Sequence, residues 1–190
     1  MTSLDGEKTP RKLYHPDSLF LQQPVWSSGD VYIYVIGLSS EGKGIYRVQP
    51  STGAWTTILE PVYKDINHLS AASGYLFFRG AVRKKDQICA IDLESREVYQ
   101  VTRGGINASD VSVGDDLNHI YYSSYAANGY DIYQNEFRRS DWSPVSMEDA
   151  ATNALVRTLR DQEDSLFYSS QVPDDHYPVA PYRKWKNLFH

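Results

Sequence analysis

The chain has 190 residues, a formal net charge of −5, 41% hydrophobic residues and 23% charged residues. That composition suits a soluble-type globular core, and the acidic balance lacks the basic stripe expected of a nucleic-acid binder. Its 15 tyrosines lift the aromatic content to 13%, which favours half-buried pleated strands, and no run of 18 apolar residues offers a membrane-spanning helix.

Residues 1–23 come first. The opening "MTSLDGEKTPRK" lacks the apolar centre of a secretory signal. Within the same segment, Leu13-Tyr14 or Ser18 to Leu21 could act as a strand that closes the fold from the other end. From Pro24 onward the sequence repeats. Three apolar-aromatic runs, "VYIYVIG", "YLFFRGA" and "HIYYSSY", are anchored at Tyr34, Phe77 and Tyr121, with spacings of 43 and 44 residues. Eleven residues after each anchor a second run begins, at Ile45, Ile88 and Ile132; ten residues later comes a third, at Trp55, Val98 and Trp142. A further strand is predicted eight residues before each anchor, around Trp26, Leu69 and Val113. Turn formers separate it from the anchor strand, as in Ser73-Gly74 and Gly114-Asp115-Asp116. The last two strands are linked by "QPSTGA", "DLESRE" and "EFRRSD", connectors of hairpin size.

Each unit is thus predicted to hold four short antiparallel strands in about 43 residues, the blade of a β-propeller. Such a blade has apolar side chains on both faces, so it must stack against neighbours. The expected fold is all-β, with blades at 24–61, 62–103 and 104–147 and a partial fourth at 148–172. In that last stretch "DSLFYSSQV" matches "NHIYYSSYA", which places an anchor at Phe167 and a first strand at about Leu155 to Leu159. Pro178 and Pro181 then interrupt the pattern. The chain therefore reads as an arc of a larger propeller, followed by a tail or linker over 173–190.

These blades resemble the WD40-like repeats of the TolB-like propellers of bacterial envelope proteins. The residues that carry the likeness are "PVWSSGDVYIYV", "QICAIDLESREVYQVT" and "NGYDIY". Trp26 has no counterpart at Leu69 or Val113. The tail "YPVAPYRKWKNLFH" is similar to segments that follow such propellers in large envelope proteins, where a membrane β-barrel comes next. The resemblance implies a location in the bacterial cell envelope, in the periplasm or at the outer membrane. It also implies that further domains of a larger parent chain accompany this one.

Signatures of chemistry are sparse. Cys89 is the only cysteine and sits in the apolar run "QICAID", where a buried small hydrophobe is expected. The five histidines form no H-x-H or H-E-x-x-H pair, so neither a metal nor a cofactor is assigned. "GDDLN" reads as a tight turn, and Arg83-Lys84-Lys85 as a solvated turn. There is no G-x-S-x-G elbow and no P-loop. Propellers bind ligands where the first strands of their blades converge. The polar residues there include Gln22, Gln23, Asn67, His68, Asn107, Asp110 and Asn153. Asn67, His68 and Asp110 are the candidate ligand-binding residues, with His68 and Asp110 a possible acid/base couple; no catalytic residue is assigned. The function expected is a non-catalytic interaction module with a protein or glycan partner. The alternatives are a gating propeller of a prolyl-oligopeptidase-type peptidase, and an oligouronate lyase of the kind some TolB-like propellers resemble.

Overall fold

Alternating side chains in a strand point to opposite faces. Runs such as "YLFFRGA", apolar at consecutive positions, must therefore be buried on both sides. The computed structural model shows how. It describes residues 12–13, 19–103, 107–114 and 116–147. The chain divides into two units, Met1–Ala151 and Thr152–His190, and all described residues lie in the first. The predicted partial blade at 148–172, Asn153 and the tail at 173–190 lie outside them.

The first sheet is built in chain order from β1 (Phe20–Trp26), β2 (Ile33–Ser39), β3 (Gly42–Gln49) and β4 (Ala54–Val62). The second contains β5 (Ile66–Ala72), β6 (Tyr75–Val82), β7 (Lys85–Asp92) and β8 (Val98–Gln100), also in chain order. The third contains β9 (Ala108–Val113), β10 (His119–Ala126) and β11 (Gly129–Glu136). All pairings are antiparallel. The three anchors occupy equivalent positions: Tyr34, Phe77 and Tyr121 lie opposite Arg47, Ala90 and Gln134 on the next strand.

Two cores separate the three sheets. In the first, Tyr34, Ile36 and Ile45 from the first sheet meet Leu76, Phe78, Cys89 and Ile91 from the second. In the second, Phe77, Ile88 and Ala90 meet Ala108, Val111, Val113 and Ile120 of the third. Consecutive residues of β6 and β7 thus serve different cores, which is why their apolar runs show no gap. Phe77, Phe78, Ile88 and Ile91 are all fully buried, each worth about 1.5–3 kcal/mol of transfer free energy.

The structure corrects two expectations. Phe20 and Leu21, expected to supply an outer strand, pair with Leu38 and Gly37 as the start of the first sheet's inner strand. Leu21 belongs there because it joins Leu13, Ile33, Val35, Val48 and Trp55 around one apolar hollow of ≈ 270 Å³. The second correction concerns the fourth strand predicted for the third blade. That segment forms β12 (Ser143–Pro144), which pairs with Gln100 and Tyr99 of β8. The second sheet gains a fifth strand and, among the described residues, the third has three. The cause is the connector. Instead of closing a hairpin, Arg139–Asp141 form a 3₁₀ turn, and Trp142 is buried against Tyr75, Phe77 and Phe137, at ring-centroid distances of 5.3, 5.8 and 5.0 Å. An indole gains far more in that core than on an exposed sheet edge, and Pro144, without an N–H, suits an outermost strand.

Candidate functional site

The inner strands β1, β5 and β9 are each irregular at the same place. Between Gln22 and Val25, Asn67 and Ser70, and Ser109 and Ser112, three steps on the inner strand face two on its partner. One extra residue is accommodated as a β-bulge. In each bulge one non-glycine residue takes a left-handed backbone: Gln23 (φ 53°), His68 (φ 56°) and Asp110 (φ 52°). A bulge bends its strand and re-aims a side chain, and here the three re-aimed residues meet across blade boundaries. The His68 backbone N–H donates to Gln23 Oε1 at 2.6 Å. His68 Nε2 lies 3.3 Å from Asp110 Oδ1. One row of polar contacts therefore joins all three blades.

Asp110 is further held by its own blade. Ser123 Oγ and Ser109 Oγ donate to its Oδ2, at 2.5 and 2.8 Å. These two hydroxyls, aided by the charges of His68 and Arg79, hold the Asp110 carboxyl below the ordinary value of 3.8 despite partial burial. His68 Nδ1 is buried and has no hydrogen-bond partner in the described structure.

A second cluster adjoins this row. Asp65 receives Lys43 Nζ at 2.6 Å and Arg79 Nη2 at 2.5 Å. Burial pushes the Asp65 carboxyl up, but the hydrogen bond and charge of Lys43, with the charge of Arg79, outweigh it and hold the group below 3.8. Asn67 belongs to this cluster: its Nδ2 donates to Asp65 Oδ1 at 2.7 Å, and its Oδ1 accepts from Lys43 at 3.3 Å. Neighbours in sequence, Asn67 and His68 thus serve different networks. Of the three candidate residues, the structure joins His68 to Asp110 and sends Asn67 elsewhere.

Lys43, Asp65, Arg79, Ser109 and Ser123 were not singled out by the sequence. A partial signal existed, since Ser123 and Arg79 both stand two residues after an anchor, opposite the bulge. Among the described residues no group of three or more His, Cys, Asp or Glu side chains could hold a metal ion. Cys89, buried, has its thiol pushed up to about 12, so it stays protonated and unreactive.

Antiparallel sheets of three to five strands, packed face to face in chain order with a shared inner bulge, define a class: these are blades of a β-propeller. No family model and no curated protein matches the sequence. Among solved structures, TolB from Acinetobacter baumannii matches over 67% of this chain and 32% of its own, with 18% identity and a TM-score of 0.57. Oligogalacturonate lyase from Vibrio parahaemolyticus matches over 72% of this chain and 41% of its own, with 11% identity and a TM-score of 0.57. A puromycin-hydrolyzing peptidase of Mycobacterium tuberculosis matches over 77% and 23%, with 11% identity and a TM-score of 0.55. The fold is that of the TolB-like propellers. The chain spans less than half the length of each of these neighbours.

Proposed function

We propose that this chain is a non-catalytic β-propeller interaction module of a bacterial cell-envelope protein. The observation that carries this reading is the order of groups in the polar row. Ser123, Asp110 and His68 are in contact, but the carboxylate stands between the hydroxyl and the imidazole. Activating a hydroxyl as a nucleophile requires the imidazole in the middle, to take the proton. Here the hydroxyl donates to a carboxylate of lowered basicity, and the imidazole lies beyond it. Such a row fastens blades together; it does not move protons at a substrate. The envelope location draws on the likeness of the repeats to TolB-like propellers. The same likeness supports a protein or glycan partner and further domains of a parent chain.

A second reading, an oligouronate lyase, is favoured by the His68–Asp110 contact itself, since an imidazole near a carboxylate is the minimum for acid/base work. A third, a propeller gating a peptidase, draws on the fold shared with the mycobacterial enzyme. Incubating the chain with oligogalacturonates and with chromogenic peptides, with and without divalent metal, separates them. The expected result is no product above that given by a His68→Ala, Asp110→Ala double variant. Product formed by the wild-type chain and lost in that variant would sink the module reading.

A further inference from the structure

The departure of β12 from the repeat creates a feature that the polar row does not use. Where Ser143–Ser146 crosses the outer edge of the second sheet, it walls a cleft of ≈ 600 Å³. Lys64, Arg83 and Arg103 line it together with Gln100, Ser143 and Ser146, and none of the described residues that line it is a carboxylate. Three cations therefore share one concave surface in a chain whose net charge is −5. Two arginines elsewhere are paired with carboxylates, Arg79 with Asp65 and Asp86 and Arg138 with Glu136, and two lie over aromatic rings, Arg47 over Tyr32 and Arg139 over Tyr99. Among the described residues neither Arg83 nor Arg103 has an ion-pair partner.

The three cations are positioned by the fold. Arg83 sits in the two-residue turn between Val82 and Lys85, with a left-handed φ of 50° that fixes where its stem leaves the hairpin. Arg103 follows β8 and donates through Nη2 to Ser143 Oγ at 2.6 Å, so β12 anchors it from the opposite wall. Lys64 lies on the link between the first and second sheets, its Nζ 3.5 Å from the Ser146 carbonyl oxygen. The cleft has the size of small-molecule sites. Guanidinium forks match planar or tetrahedral oxyanions in two-point hydrogen bonds, and an anion that enters between Arg83 and Arg103 is attracted by both.

We propose that this cleft binds a compact ligand bearing two or more oxyanion groups, carboxylate, sulfate or phosphate, held chiefly by Arg83 and Arg103. The site is independent of the His68–Asp110 row, so its fate does not decide the module reading. The test is calorimetric titration of the full chain at low salt with sodium pyrophosphate, sodium sulfate and trigalacturonate, and with neutral maltotriose as control. At least one anionic probe is expected to bind saturably, more weakly as salt rises, while maltotriose does not bind; the preferred probe tells which oxyanion is recognised. An Arg83→Gln, Arg103→Gln pair should weaken binding by about tenfold or more, an Arg83→Lys, Arg103→Lys pair by less, and His68→Ala not at all. Arg83→Gln alone, at an exposed residue with no ion pair to lose, should weaken binding several-fold without touching the fold. Absence of binding by every anionic probe, or unchanged affinity in the folded Arg83→Gln variant and the Gln pair, overturns the proposal.

Discussion

Gln23, His68 and Asp110 hold a backbone conformation that costs a non-glycine residue roughly 1–2 kcal/mol, and each is kept there by contacts to a neighbouring blade. The charged members of this region make stability depend on pH in a defined direction. Asp65 and Asp110 both have folded values below the ordinary 3.8. A carboxyl with a depressed folded value contributes stability that is complete above its unfolded value and vanishes as pH falls through the folded one. Both side chains are about half exposed (50% and 57%), so solvent screening limits the pair to about 1 kcal/mol or less. Urea midpoints of the wild-type chain should therefore drop more steeply below pH 3.8 than those of an Asp65→Asn, Asp110→Asn variant, while above that pH the wild type is the more stable. Parallel curves for the two proteins would show that neither carboxylate is favourably held.

At the scale of the element, the tightest packing lies where hairpin and neighbouring strand cross. Gly42 opens β3 with φ +115°, and a Cβ placed there would stand 2.4 Å from the carbonyl oxygen of Val62 in β4. Gly53 also has positive φ, +75°, but a Cβ there would meet nothing within 4 Å. Gly42→Ala should thus cost about 2 kcal/mol or more, adding a backbone clash to the left-handed penalty, and Gly53→Ala only about 1 kcal/mol. Thermal unfolding of the two variants reads the difference; equal losses would mean the hairpin shifts freely against β4. The strands themselves were legible in the sequence because Tyr34, Phe77 and Tyr121, and then Ile45, Ile88 and Ile132, recur at near-constant spacing and each must sit on the same face. The bulges were not legible. Gln23 and His68 carry no glycine to betray a left-handed backbone, and that backbone is what turns His68 toward Asp110 and away from Asn67. The exchange of β12 was hidden too, because the repeat marks Trp142 as apolar but cannot say which core receives it.

Across the whole described unit, the repeat sets what each face should meet. Tyr34 and Phe77 are 3% and 0% exposed, and Ile45 and Ile88 are 0% exposed, because each pair packs on the following sheet. Their equivalents on the third sheet are Tyr121 at 42% and Ile132 at 84%. The register places Ser123 opposite Ile132 and Tyr125 opposite Tyr130, so Tyr121, Tyr125, Tyr130 and Ile132 share one face. Tyr125 and Tyr130 stand edge to face at 5.1 Å. Among the described residues β11 is also the sheet's outer edge, exposed along nearly its whole length, and none of them supplies the fourth strand that covers this position in the other two sheets. A contiguous apolar face beside an unpaired edge favours association. Covering Ile132 alone would recover about 1.5–3 kcal/mol, and in a solution of this chain by itself a second copy supplies the cover. Sedimentation velocity should therefore show association that grows with concentration. A Tyr130→Lys, Ile132→Lys variant should sediment as a monomer at the same concentrations, with a melting temperature close to that of the wild type, since the two side chains contribute little to either core. A wild-type chain that stays monomeric throughout, or a variant that associates as strongly, would show that this face is satisfied within the chain itself.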